Sequence, residues 1–203
     1  PAGESIIWVQ LTEMADTNTC FLVLWGNPDA TSAPPVYATN GAAWMESFRG
    51  VWHLGADEND STSNRFAGVN QGSTDSTGIV GRCQLFDGND YITLSGAPAV
   101  QGNASRTVSA WVRKSGTEED CAVSLGTPAN SQSFNLVFYG SRYAGVMGYG
   151  YDFYPGSGTS VEDGKWHHVV AVYVGGDRLR MYVDGRLDNT DTGKNNYQTA
   201  GQN

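Results

Sequence analysis

The 203-residue sequence predicts an all-β fold: an antiparallel sandwich of two sheets, of the jelly-roll type. Three observations predict it. Helical periodicity is nearly absent, and "GAAWMESFRGVWHL" offers at most a turn or two. Short runs rich in β-branched and aromatic residues recur between clusters of Gly, Asn, Asp and Ser. The chain holds 26 glycines and only 16% charged residues, the profile of a turn-rich β protein.

The runs come in order. "SIIWVQL" (5–11) and "CFLVLW" (20–25) open the chain, followed by "GVWHL" (50–54), "CQLFDG" (83–88) and "DYITL" (90–94). "RTVSAWVRK" (106–114) alternates: Val108, Ala110 and Val112 share one face, and Thr107, Ser109 and Trp111 the other. "CAVSLG" (121–126), "SFNLVFYG" (133–140) and "YAGVMGYG" (143–150) follow. "HHVVAVYV" (167–174) and "LRMYVDGRL" (179–187) flank a "GGD" suited to a tight hairpin. The predicted core draws on Trp52, Phe86, Trp111, Leu136, Trp166, Val170, Val172 and Met181. A buried indole removes on the order of 200 Å² from water, so the three tryptophans read as core first and as sugar platforms second. Asp87, Asp90 and Asp184 sit in D-G-type turns, where Asp bonds its own backbone and Gly tolerates positive φ.

Charge excludes one class of partner. The formal net charge of −9 argues against nucleic acid, whose phosphates need a basic surface. No apolar run approaches the ~20 residues of a membrane helix, so no membrane insertion is expected. Cys20, Cys83 and Cys121 are too few and scattered for a disulfide scaffold or zinc site. Cys20 and Cys83 stand in apolar contexts that suit small buried thiols, and one bridge with an odd cysteine stays open.

His167 and His168 raise the question of a metal or a proton relay. Adjacent strand residues point to opposite faces, so the pair cannot share one ion. They read as strand-entry residues beside Trp166.

"DGKWHHVVAVYVGGDRLRMYVDGRL" (163–187), "GVWHLGADENDSTSNRFAG" (50–68), "GIVGRCQLFDGNDYITL" (78–94) and "RTVSAWVRK" occur in a telling order. Together they resemble bacterial laminin-G-like domains of the concanavalin A-like lectin/glucanase type. The N-terminal 1–45, ending its apolar hairpin in Leu24-Trp25-Gly26-Asn27-Pro28, resembles the end of a different β domain with a Y-Y-G-N-P-like motif. The resemblance thus implies two parts: 1–45, a strand hairpin from a preceding domain, and 46–203, the laminin-G-like sandwich. The polar ending "NTDTGKNNYQTAGQN" stands where the family has further strands, so the sandwich reads as cut short there.

Glucanases of this fold carry an E-x-D-x-x-E strand that sets two carboxyls on one face, about 5 Å apart for retaining hydrolysis. No run here has that pattern. "TEED" and "SVEDG" place adjacent acids in turns, and G-x-S-x-G, H-E-x-x-H and P-loop motifs are absent. An enzyme is not expected.

A binding site is. "NLVFYGSRYAGVMGYGYDFYPGSG" carries more aromatics than one strand face needs. Tyr139, Tyr143, Tyr149, Tyr151 and Tyr154 could stack on sugar C–H faces while Arg142 bonds hydroxyls; alternatively the tyrosines alternate as an ordinary half-buried strand. The favoured expectation is a non-catalytic carbohydrate-binding or adhesion module of a bacterial extracellular, cell-surface or periplasmic protein, its partner a glycan or cell-surface polysaccharide. A structural or assembly module without a glycan, and a glycoside hydrolase of the same fold, are the alternatives. The resemblance also implies one structural calcium ion at the oxygen-rich "DENDSTSN" loop, with Asp60 and Asn64 as ligands and Asp87 nearby. Residues 5–25 are expected to form strands that cover an open sheet edge, in cis or in a neighbouring domain or subunit, by strand addition.

Overall fold

The computed structural model describes residues 6–11, 13, 20–21, 29, 32–33, 40–44, 47–55, 57–96, 100–138, 142–193 and 195–201. These residues fold into eleven strands, with no helix among them. The chain divides into two compact units, 1–93 and 94–203.

The first unit holds β1 (Ala67–Gln71), β2 (Thr74–Thr77), which runs antiparallel to β3 (Arg82–Leu85), and the start of β4 (Tyr91–Ser95), which pairs with β1. β3 and β4 fall on runs that the sequence predicted. β1 and β2, "AGVNQ" and "TDST", have no apolar alternation to announce them. The "GVWHL" run yields only a single bridge, Trp52 to Asp60. Ile6–Leu11 forms no strand and is exposed throughout. Of "CFLVLW", Cys20 and Phe21 are exposed and outside any strand, and the rest lies outside the described residues.

The second unit holds β5 (Arg106–Arg113), β6 (Asp120–Gly126), β7 (Ser133–Phe138), β8 (Gly145–Met147), β9 (Trp166–Val174), β10 (Arg178–Val183) and β11 (Arg186–Asp191). They form two antiparallel sheets, β11-β10-β9-β5 and β6-β7-β8. The core lies between them, with Phe134, Leu136 and Val146 from one sheet and Val169, Tyr173 and Met181 from the other. Gly176 (φ 70°) turns the β9–β10 hairpin as the "GGD" predicted. Asp184 (φ 50°) and Gly185 (φ 77°) turn "YVDG".

Several core assignments need correction. On β9 the inward residues are His167, Val169, Ala171 and Tyr173, so Val170 and Val172 face the other way. Both faces of this strand are apolar, and the pattern alone could not choose. Trp111 is 50% exposed, because Val108, Ala110 and Val112 take the inward positions of β5. Phe86 is exposed, while Trp52 and Trp166 are half-buried; only Leu136 and Met181 are wholly enclosed as predicted. All three cysteines are free, and Cys20 is exposed rather than buried.

The polar ending does unexpected work. Tyr197 and Thr199 are buried, and Thr199 bridges Gly102. The amides of Gln198 and Ala200 donate to the carbonyls of Ser131 (2.7 Å) and Gln132 (3.1 Å). Thr199 Oγ1 also accepts from Arg106, a buried guanidinium that donates to the carbonyls of Ala104, Val100 and Gly102. The rings of Phe134 and Tyr173 flank it at 5.5 and 5.7 Å. No carboxylate pairs with it among the described residues, so carbonyl dipoles and ring faces carry the charge. Burial pulls its pKa below the usual arginine value.

Candidate functional site

The aromatic connection beyond β7 is the first place to look. Tyr149, Tyr151 and Tyr154 are 42%, 38% and 37% exposed. Tyr143 is half-buried and Arg142 is exposed, its carbonyl accepting from the Val161 amide at 2.9 Å. Tyr139 lies outside the described residues. The loop is no alternating strand: Tyr149 takes φ 55°, and the Gly148 amide donates to Asp152 Oδ1 at 2.8 Å. Phe153 and Val146 exchange both backbone bonds, so the loop folds back on β8 as a tight reversal.

A second segment pins it. The Ser131 amide donates to the Tyr149 carbonyl at 3.1 Å, and a Cβ on Gly150 (φ 135°) would run into the Asn130 amide. The Tyr151 ring stands 6.4 Å from the buried Tyr197 ring, edge-on at 74°. The tyrosines therefore sit on a backbone held from three sides, with exposed rings and the polar Asn130 beside them. Asn130 and Ser131 were not singled out from sequence. Their "PANSQ" turn lies far from the tyrosines along the chain, and only the fold joins them.

The histidines resolve into a structural clamp. Inward-facing His167 sets Nδ1 2.8 Å from Asp184 Oδ2 and Nε2 3.0 Å from Asp163 Oδ1. Asp184 Oδ1 also accepts from the His168 amide, and Lys165 donates to Asp163 from both its amide and its Nζ. Two flanking carboxylates favour the doubly protonated ring, which alone donates from both nitrogens. Burial pushes the His167 pKa down, but the bonds to Asp184 and Asp163 outweigh it and the net shift is upward. Lys165, then His167, hold Asp163 far below the usual carboxylate range. Both imidazole nitrogens are committed, so this ring is not placed to relay a substrate proton.

A sign follows for pH. A raised imidazole pKa contributes stability that is full below the unfolded value near 6.5 and is lost as pH rises through the folded value. The depressed aspartates act oppositely, contributing above their unfolded value near 3.8 and losing it in acid. Melting temperature should thus fall as pH rises from about 6 to about 9, and His167→Gln should flatten that slope. A slope unchanged in the variant would remove the clamp's role.

The acidic loop gathers oxygens around its own backbone. Asp60 is fully buried; Oδ1 accepts from the amides of Val51 (2.9 Å) and Thr62 (2.8 Å), and Oδ2 from Thr62 Oγ1 (2.7 Å) and the Phe66 amide (3.3 Å). Burial raises its pKa, yet these four bonds win and hold it below the ordinary value. Asn64 donates its side-chain amide to the Arg49 carbonyl at 2.9 Å. The Asp87 amide donates to Asp90 Oδ2 at 2.9 Å, the turn role foreseen for Asp90. Asp60 and Asn64 thus meet at Thr62, whose hydroxyl donates to Asp60 Oδ2 and accepts from the Asn64 backbone amide at 3.2 Å, while the bond at Asp87 is made by its backbone amide. Among the described residues, no group of three or more His, Cys, Asp or Glu side chains is arranged to hold a metal.

Comparison with known proteins places the fold. Residues 86–203 match the family described as the concanavalin A-like lectin/glucanases superfamily. The chain belongs to that superfamily. Its matched span carries the tyrosine loop and the histidine clamp, whereas Asp60 and Asn64 precede it. A solved structure of the same fold is domain 4 of AbnA, a GH43 extracellular arabinanase from Geobacillus stearothermophilus, in complex with arabinotriose. The likeness has a TM-score of 0.56 at 20% identity, covering 72% of this chain and 75% of that one. No curated protein matches. In this member the pairs β2–β3, β5–β9, β6–β7, β7–β8, β9–β10 and β10–β11 are all antiparallel. No helix among the described residues is long and apolar enough to cross a membrane.

Proposed function

We propose that this protein is a non-catalytic carbohydrate-binding module that acts outside the cell. One observation carries the reading: Tyr149 and Tyr151 present open rings on a loop whose backbone is fixed by Ser131, Asp152 and the packing of Tyr197. Rigid aromatic faces bind sugar with little ordering penalty, since the rings have few torsions to freeze. Asn130 and Arg142 supply amide and guanidinium groups for hydroxyls. The arabinanase domain of the same fold, seen with arabinotriose and belonging to an extracellular enzyme, supports both the ligand class and the location. The committed nitrogens of His167 support a binding role over a hydrolytic one.

The test is a panel of neutral oligosaccharides, arabinotriose included, measured by calorimetry. Wild type should bind at least one. Tyr149→Ala and Tyr151→Ala should each weaken it by about 0.5–1.5 kcal/mol, a few-fold to about tenfold, with melting temperature nearly unchanged. Reducing ends should not accumulate. Release of sugar, or binding indifferent to both tyrosines, would refute the reading.

A further inference from the structure

The sheet β11-β10-β9-β5 turns one face to the core and the other to solvent. Cross-strand register arranges the outer face in rows: Arg113 beside Trp166, Trp111 beside His168, and Val172 beside Arg180. The half-exposed Trp111 ring stacks on His168 at 5.1 Å and 29°, and the Arg113 guanidinium lies 5.3 Å from the Trp166 ring. A solvent-facing sheet ordinarily carries polar side chains, so two tryptophans here call for an occupant.

Its charge names the kind of occupant. The chain is −9, yet no Asp or Glu occupies an outward position on β5, β9 or β10. Arg113 and Arg180 stand there, and among the described residues neither is paired with a carboxylate. The surrounding acidity repels a polyanion, which makes this basic, aromatic face its landing place. We propose that the face binds an acidic polysaccharide of the polyuronate class. Sugar rings stack on Trp111, and carboxylates take the forked donors of Arg113 and Arg180. The two arginine rows are six residues apart along β9, about 20 Å, room for several sugar units of an extended chain. The proposal extends the carbohydrate-binding reading to a second surface with its own ligand chemistry.

Affinity electrophoresis of the full chain against polygalacturonate and against neutral arabinan tests it. Polygalacturonate should retard the wild type, less so as salt rises. The Arg113→Gln/Arg180→Gln double variant should bind polygalacturonate about tenfold more weakly, with an unchanged melting temperature. Trp111→Ala, at an exposed position, should lose a similar factor. Any arabinan retardation should survive the double arginine change. No retardation by polygalacturonate, or retardation equal in wild type and double variant, overturns the proposal. So does loss of polygalacturonate binding in Tyr149→Ala/Tyr151→Ala alone, which would leave the loop site standing. Arginine-dependent binding of phosphatidylserine vesicles without polygalacturonate binding overturns it in favour of a lipid surface. Arginine-dependent polygalacturonate binding with no neutral ligand found upholds this face and removes the loop site instead.

Discussion

Tyr197→Ala should destabilise the second unit by about 3–5 kcal/mol, as loss of a large buried ring does. The ring is wholly enclosed and meets Phe134 (5.1 Å, 83°) and Tyr173 (5.0 Å, 84°) edge-on. Gly148 has no side chain because one would strike this ring. Removing it empties a hole between rings that cannot collapse, since Tyr173 is tied through its hydroxyl to the carbonyl of Asn195. The bonds from Gln198 and Ala200 to the 131–132 turn would loosen with it, and with them the support of Tyr149 and Tyr151. Tyr197→Phe should lie within about 1 kcal/mol of wild type, because the hydroxyl's contact with Asn195 Nδ2 is a long 3.4 Å. Chemical denaturation measures both. An alanine variant within about 1 kcal/mol of wild type would mean that the polar ending is not part of the core.

Asp60→Ala should be nearly as severe in the first unit, about 3 kcal/mol. The substitution strands the Val51, Thr62 and Phe66 amides and the Thr62 hydroxyl around a cavity, and Thr62 is itself buried. Because the folded pKa is depressed, the wild-type contribution is present above about pH 4 and is lost as pH falls. The stability gap between wild type and an Asp60→Asn variant, which retains part of the bonding, should therefore be widest near neutral pH and narrow as pH falls below about 4. A melting temperature that rises with added calcium and falls with chelator would instead assign the loop to a cation.

Much of the fold was legible because its signals were local. Eight strands, β3 to β10, fall on runs of β-branched and aromatic residues, and the "GGD" and "YVDG" turns fall where Gly and Asp permit positive φ; β11 runs on into the polar ending. β1 and β2 were not legible: their polar residues form strands only because neighbouring strands pair with them. Trp111 was misplaced although the sequence held the answer. Val108, Ala110 and Val112 already supplied the inward face of β5, which left the indole outside. Tyr197 could not be read from a polar segment, since its burial depends on rings contributed by β7 and β9. For the candidate site, the tyrosine excess is a feature of the sequence itself, whereas the Asn130–Ser131 support is long-range and is visible only in the fold.

Binding of sugar on the Tyr149–Tyr151 loop without cleavage is the proposed function. Its most direct measurement is a backbone NMR titration of the protein with arabinotriose or another oligosaccharide from the panel that it binds. Shifts confined to residues around Asn130, Tyr149 and Tyr151, with the sugar recovered intact, are the result expected. Saturating shifts that leave this loop untouched and cluster elsewhere, or a shortened sugar in the tube, would contradict it.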